Sequence, residues 1–331
     1  MPEIPRILSL LDQAAGQPAA LATLVQVEGS SYRRPGARLL LLADGRRIGS
    51  ISGGCLEEDV LDHARRVIAS GQAALAVYDT TTENDLVWGV GLGCQGVVRI
   101  FIEPLPAGRP AWLAVLRQNL RERRPTSLIV EYTGTAAPGT RLAAETTPGG
   151  YDTGIFRETI AAPPALIICG AGDDAQPLAR MALETGWHVT VADTRAAYAT
   201  PERFAGVDKI LAAPVGEIAP GLRPDARTFV VVLTHRYADD LAWLRTLLPR
   251  DFAYLGLLGP RPRTDRLLAE LSAGGLALTA AQLAKLHAPV GLDLGGGTPE
   301  TVALSILAEI QARLTGRTPG FLRDRTGPIH D

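Results

Sequence analysis

Ala165-Leu166-Ile167-Ile168-Cys169-Gly170-Ala171-Gly172-Asp173-Asp174-Ala175 is the stretch whose reading settles the architecture of half the chain. Five apolar residues in a row do not alternate between a wet and a dry face. They mark a strand buried on both sides, as in a parallel sheet covered by helices. The turn that follows fits G-x-G-x-x-A, and a helical pattern runs from Gln176 to Glu184 before Gly186 ends it. Gly170 lets the chain turn, Gly172 lets a phosphate approach the backbone, and Ala175 permits close packing of helix on strand. A second apolar strand, Trp187 to Ala192, ends at Asp193. That is the place, about 20 residues on, where a carboxylate can hold a ribose hydroxyl. Asp173 and Asp174 stand where a bound pyrophosphate would sit. They suit the helix dipole and oppose a second anion. The fold signal is therefore separable from the ligand signal. The loop can take a dinucleotide such as NAD(P), another ligand, or none.

Further strands are predicted at Asp208 to Ala212, Thr228 to Leu233 and Ala253 to Leu258. Helices are predicted at Asp239 to Leu248, Pro262 to Ala273, Thr279 to Lys285 and Pro299 to Leu314. Strand and helix alternate, which predicts a doubly wound, Rossmann-like α/β domain with a parallel sheet. Thr298, Pro299 and Glu300 supply a cap, a first-turn proline and a dipole-matching acid. His235 follows the strand ending at Leu233, so it stands at the carboxyl edge where ligands bind in such sheets. Its roles are ligand contact, proton transfer or a structural hydrogen bond. His287, followed by Gly295-Gly296-Gly297 before the last helix, offers a second loop able to meet an anion. Arg261 and Arg263 near a helix start disfavour the dipole and ask for an anionic partner or a solvated surface. Cys169 ends a buried strand and reads as packing.

The N-terminal half has a different grain. A short amphipathic helix spans 4–15, and a strand runs from Ala19 to Val27. Strands Arg38 to Ala43 and Arg46 to Ile51 are joined by Asp44-Gly45, a hairpin signal. Gly53-Gly54-Cys55 comes next, then a helix to about Ala69. A thiol near a helix N-terminus is favoured as thiolate, which is a soft metal ligand and a nucleophile. Cys55 is equally compatible with a small buried residue after a tight turn. Cys94 lies in a second glycine-rich loop, Leu86 to Gly96. Arg33, Arg34 and Arg38 flank the polar loop Glu28 to Gly36. With Gly53, Gly54, Cys55 and Cys94 they suggest a site for a ligand carrying anionic groups and a thiophilic centre. A strand from Val97 to Ile102, a helix over 110–124 and strand-like runs Ser127 to Tyr132 and Arg141 to Glu145 complete this half. The expected division is an α+β domain over 1–160, with a linker at Ala161-Ala162-Pro163-Pro164, and a second domain over 161–331.

Composition excludes several classes. Net charge is −2, from 33 basic and 35 acidic residues, which argues against nucleic acid as the main partner. No run of about 18 apolar residues predicts a membrane span. Glu3, Arg6 and Asp12 interrupt the N-terminal stretch, so no signal peptide is predicted. Three cysteines, Cys55, Cys94 and Cys169, make no disulfide framework, and a reducing cytoplasm is the expected compartment. No H-E-x-x-H, C-x-x-C, G-x-S-x-G or Walker loop occurs.

Taken together the motifs resemble the XdhC/CoxI family of accessory proteins for xanthine dehydrogenase and carbon monoxide dehydrogenase. The resemblance rests on Gly29 to Gly36, Gly49 to Glu57, Leu92-Gly93-Cys94, the Gly170–Ala175 loop, Tyr198 to Phe204, Thr234-His235, Tyr254 to Arg261 and His287 to Asp293. It implies a maturation factor. Such a protein binds the molybdenum cofactor, a molybdopterin that is plain or nucleotide-extended. It shelters the cofactor while a cysteine desulfurase exchanges oxygen for sulfur, then delivers it to the apo molybdenum hydroxylase. Cys55 matches the family's cofactor-associated cysteine, a molybdenum contact. Cys94 is then expected in the same pocket, Arg33 and Arg34 on the pterin phosphate, and the loop with Gly170, Gly172, Asp193 and His235 on the nucleotide part. A homodimer is the expected assembly. Asp173-Asp174 departs from the family, where a histidine commonly follows the second glycine. The second reading is an NAD(P)-dependent oxidoreductase using Asp193 for ribose and His235 for proton transfer. The third is a partner-recognition module with the Rossmann half as scaffold. No iron–sulfur cysteine set is present, so the chain does not read as the hydroxylase itself.

Overall fold

The computed structural model describes residues 3–29, 31–54, 56–79, 96–134, 137–143, 150–152 and 154–326. Cys55, Cys94 and most of the second glycine-rich loop lie outside the described residues, as does Glu145. The chain divides into two compact units, Met1–Ala162 and Pro163–Asp331.

The first unit opens with helix α1 (Glu3–Gln13) and strands β1 (Ala19–Gly29), β2 (Arg38–Leu42) and β3 (Arg47–Gly49). Helix α2 (Glu57–Ser70), strands β4 (Ala74–Asp79) and β5 (Gly96–Leu105) and helix α3 (Ala111–Arg121) follow. The antiparallel sheet has the order β3-β2-β1-β5-β4. Ala20, Ala22 and Leu24 of β1 meet Val60, Leu61, Ala64 and Val67 of α2 on one face. Leu21 and Leu40 meet Ile4, Ile7, Leu8 and Leu11 of α1 on the other, with Leu113 and Leu116 of α3. Both faces are covered, so β2 is buried at all five positions. Helix α2 begins with Glu57, Glu58 and Asp59 in its first turn and ends at Gly71, whose positive φ of 70° lets its N–H reach Val67. Each core side chain that α2 buries contributes about 1.5–3 kcal/mol.

A second antiparallel sheet of this unit has the order β7-β6-β9-β8, from β6 (Thr126–Glu131), β7 (Gly139–Leu142), β8 (Gly150–Asp152) and β9 (Ile155–Ile160). The sequence pattern did not reveal strands β8 and β9. Arg157, Glu158 and Thr159 break the apolar pattern of β9. Glu158 is accounted for by a partner distant in sequence, the buried guanidinium of Arg38.

The second unit contains β10 (Ala165–Cys169), α4 (Ala175–Glu184), β11 (His188–Asp193), β12 (Lys209–Ala212), α5 (Val215–Ile218), β13 (Thr228–Val232), α6 (Tyr237–Leu247), β14 (Tyr254–Leu257), α7 (Arg261–Ala273), α8 (Ala280–Leu283), β15 (Leu286–His287) and α9 (Pro299–Thr315). All six strands are parallel, in the order β12-β11-β10-β13-β14-β15. Leu166 and Ile168 of β10 pack with α4 and α9 through Leu178, Ala182, Ile306 and Ile310. Ile167 and Cys169 pack with α6 and α7 through Trp243, Leu247, Leu267 and Leu271. Alternate residues of one strand thus serve opposite helical layers, which is the doubly wound arrangement. The order reverses at β10 and β13, so the crevice beyond their carboxyl ends is the topological switch point. Strand β15 is two residues long, too short for periodicity to reveal. Among the described residues no helix is long and apolar enough to cross a membrane.

Candidate functional site

In the first unit the turn before α2 is built around one carboxylate. Glu57 Oε1 accepts hydrogen bonds from Ser50 Oγ at 2.8 Å, Ile51 N at 3.1 Å, Ser52 N at 2.9 Å and Gly53 N at 3.1 Å. Its Oε2 accepts from Gly54 N at 2.8 Å and from the Ser52 hydroxyl. Burial works to raise the Glu57 pKa, but the Ser52, Ser50 and Gly54 donors outweigh it and hold it at about 2. The backbone amides that the sequence offered to a thiolate or an incoming anion are, at 51–54, taken by the protein's own anion. The turn is consequently shaped by the chain's own carboxylate.

Gly53 and Gly54 are exposed and hold φ of 84° and 128°. A Cβ on Gly53 would lie 2.8 Å from ring carbons of Tyr32, so a larger residue there would have to push that ring aside. Tyr32 brings the polar loop after β1 onto the turn. Its neighbours among the expected arginines separate. Arg33 pairs with Glu3. Arg38 is 3% exposed, donates to Gly36 O at 2.9 Å and pairs with Glu158, so it serves the fold. Arg34 is exposed and its carbonyl accepts from Ala37 N at 3.1 Å.

In the second unit the loop after β10 lies against the end of β13. A Cβ on Gly170, whose φ is 119°, would come within 2.6 Å of Leu233 O, so glycine is needed for this approach. Asp193 is at the end of β11 as expected, but it is 3% exposed and its carboxylate is engaged. Oδ2 accepts from Ala171 N at 2.6 Å and Arg195 Nη2 at 2.8 Å, and Oδ1 from Arg195 N at 2.8 Å and Nε at 2.9 Å. Burial opposes ionisation of Asp193, and Arg195 with the Ala171 amide more than compensates, so its pKa is lowered. Arg195 stacks over the Tyr198 ring at 4.0 Å.

His235 stands at the carboxyl edge with φ of 58°, uncommon for a residue other than glycine. Its Nε2 is 2.8 Å from Asp174 Oδ2. Asp173 pairs with Arg203 Nη2 at 3.0 Å. Each of the two carboxylates at the start of α4 therefore has an internal cation or imidazole partner. After β13, Thr234 Oγ1 donates to Asp240 Oδ1 at 2.5 Å, and Arg263 Nη2 donates to Oδ2 at 2.5 Å. The anion that Arg263 asked for is Asp240, 1% exposed.

His287 is in a third cluster. Its Nδ1 lies 2.7 Å from Glu309 Oε1, and its ring stacks on Tyr254 with centroids 4.3 Å apart. Tyr254 OH and Gly291 N donate to Glu309 Oε2 at 2.5 Å and 2.7 Å. This ties the loop after β15 to α9, whose N-terminus is closed by a Thr298–Thr301 capping box. Cys169 is buried, and burial raises its pKa. Among the described residues no group of three or more histidine, cysteine, aspartate or glutamate side chains could hold a metal ion.

Sequence reasoning missed Glu57, Arg195, Asp240 and Tyr32. A glutamate three residues after Gly54 was a readable signal, because a residue at that spacing can reach back to free amides. Arg195, two residues after Asp193, was a second.

The chain is similar to known proteins over most of its length. A family model described as "XdhC and CoxI family" matches residues 12–79, and one described as "XdhC Rossmann domain" matches residues 166–310. A Bacillus subtilis (strain 168) protein, named as a probable subunit of xanthine dehydrogenase, is 33% identical over 315 residues, spanning 88% of this chain and 92% of that protein. An Escherichia coli (strain K12) protein named molybdenum cofactor insertion chaperone PaoD is 29% identical over 303 residues, spanning 89% of this chain and 83% of that one. The crystal structure of a Bacillus halodurans protein described as a xanthine dehydrogenase superposes with a TM-score of 0.79 at 28% identity, covering 94% of this chain and 96% of that one.

Proposed function

This chain belongs to the XdhC and CoxI family, and on that premise we propose that it binds the molybdenum cofactor as cargo and delivers it to an apo molybdenum hydroxylase of the xanthine dehydrogenase type. The observation that carries the reading is the pre-shaped Ser50–Gly54 turn, clipped by Glu57 immediately before the position of Cys55. A cargo that must be taken up and released is served by a site formed in advance, because less ordering is needed on binding. The turn is open to an approaching ligand, since an added Cβ on Gly54 meets nothing within 4 Å and both glycines are exposed. Cys55 supplies the thiophilic contact and Cys94 belongs to the same pocket. Among the described residues Arg34 has no carboxylate partner and can meet phosphate directly; Arg33 has to leave Glu3 to do so.

The similarity to a protein named as a cofactor insertion chaperone supports the same role. In this reading the cofactor is held while a cysteine desulfurase exchanges its terminal oxygen for sulfur, and the protein works as a homodimer in the cytoplasm. In the second unit the loop with Gly170 and Gly172, together with His235, is the place we assign to a nucleotide. The oxidoreductase alternative is weakened by Asp193. A carboxylate already accepting four hydrogen bonds has little left for a ribose hydroxyl.

The test is anaerobic binding of purified molybdenum cofactor, plain and nucleotide-extended, to wild type and Cys55→Ala. Tight binding by wild type that Cys55→Ala loses is the expected result. Absence of binding by wild type to both forms sinks the proposal.

A further inference from the structure

We propose that Tyr32 is a stacking residue, whose exposed ring holds the flat heterocycle of the ligand beside the Gly53–Gly54 turn. This rests on the reading that the turn before α2 is the cofactor site, and it names a residue that the resemblance assigned no role. Among the described residues three aromatic side chains are exposed: Tyr32 at 68%, Tyr198 at 42% and Phe321 at 71%. Tyr198 carries the guanidinium of Arg195 over its ring at 4.0 Å, and Phe321 carries that of Arg323 at 4.8 Å. Tyr32 has no such cover among the described residues.

Its backbone is nevertheless braced and its ring rests on Gly53. The ring lies against the α-carbon of Gly53, where any Cβ would collide with it. The next residue, Arg33, is tied to Glu3, and the loop closes with Ala37 N donating to Arg34 O at 3.1 Å and Gly36 N donating to Leu24 O at 2.8 Å. Leaving a tyrosine ring in water while bracing its backbone forgoes the burial an aromatic ordinarily gains. An aromatic ring held in place at the mouth of a glycine turn is what a flat, electron-poor bicycle stacks upon. Stacking of this kind tolerates variation in ring substituents. Arg34, exposed two residues on, suits an anionic group attached to that ring. Ring and charge together suit a flat heterocycle bearing an anionic group, which in the proposed function is the phosphorylated pterin.

The experiment compares wild type, Tyr32→Phe, Tyr32→Leu and Cys55→Ala. Anaerobic binding of the molybdenum cofactor is measured, and quenching of pterin fluorescence is followed with a free phosphorylated pterin. Thermal melting checks that each variant is folded. Tyr32→Leu still covers Gly53 but has no π-face. It is expected to weaken cofactor binding about tenfold and to abolish the quenching. Tyr32→Phe is expected to keep both. If wild type binds and Tyr32→Leu binds and quenches equally well, stacking is overturned while the cofactor reading stands. If Tyr32→Phe loses binding as Tyr32→Leu does, a hydroxyl contact replaces stacking and the inference fails. If wild type binds neither probe, the cofactor reading falls, and this inference with it.

Discussion

Glu57 illustrates how one side chain can do the work of a ligand. Its ordinary pKa is 4.5, and the turn holds it down to about 2, the Ser52, Ser50 and Gly54 donors overcoming burial. A depressed carboxyl stabilises the fold fully above the ordinary value, and that contribution is lost as pH falls from 4.5 through about 2. We expect a carboxyl-carbon NMR titration of Glu57 with its midpoint near 2, and loss of amide protection at Ser52, Gly53 and Gly54 over the same range. A midpoint at 4.5 contradicts the clip. Glu57→Gln should destabilise the turn by about 1.5–3 kcal/mol at neutral pH, because an amide oxygen replaces a charged acceptor. Gly53→Ala should cost about 1 kcal/mol or more in melting experiments, since φ is 84° and the new methyl meets Tyr32. The Gly-Gly turn was legible from its residues. The partner of its amides was not, because Glu57 reads equally well as a dipole-matching acid in the first turn of α2.

Helix α6, helix α7 and the end of β13 are joined by Asp240, Thr234 and Arg263. Asp240 is 1% exposed, and Thr234 and Arg263 supply the hydrogen bonds to its two carboxylate oxygens. Arg263→Ala leaves that carboxylate buried without its cation and should lower stability by about 3–5 kcal/mol in denaturant titration. Asp240→Asn in the same background should restore part of the loss. An Arg263→Ala protein as stable as wild type rules out this dependence. Strands β10 and β13 of the second unit were legible because a strand covered on both faces is a continuous apolar run. Strand β9 was hidden because its polar residues are explained only by the fold: Glu158 faces Arg38, far back in the chain. Periodicity reads which face is dry, and it cannot see a charge whose partner arrives from another strand.

The molecule consists of a unit with two antiparallel sheets and a unit with one parallel sheet, each with its own cores. Their candidate sites differ in character. In the first unit Gly53 and Gly54 are exposed, the turn is clipped by Glu57, and Tyr32 lies against Gly53. In the second, the positions that a dinucleotide would use are largely paired internally, Asp193 with Arg195, Asp173 with Arg203 and Asp174 with His235. Loosening that set should favour an anion: Asp174→Asn removes a negative charge from the start of α4 and should tighten binding of a nucleoside diphosphate, read by calorimetry. Unchanged or weaker binding contradicts that reading of the loop. The parallel architecture was visible in the glycine loop alone, whereas the internal pairing depended on Arg195 and Arg203 returning from later turns. We propose that the protein carries the molybdenum cofactor to a hydroxylase. The most direct test mixes cofactor-loaded protein, wild type or Cys55→Ala, with apo molybdenum hydroxylase under anaerobic conditions and follows recovered hydroxylase activity. Faster and fuller recovery with the wild-type carrier than with free cofactor, lost in Cys55→Ala, is the predicted result; recovery no better than with free cofactor contradicts the account.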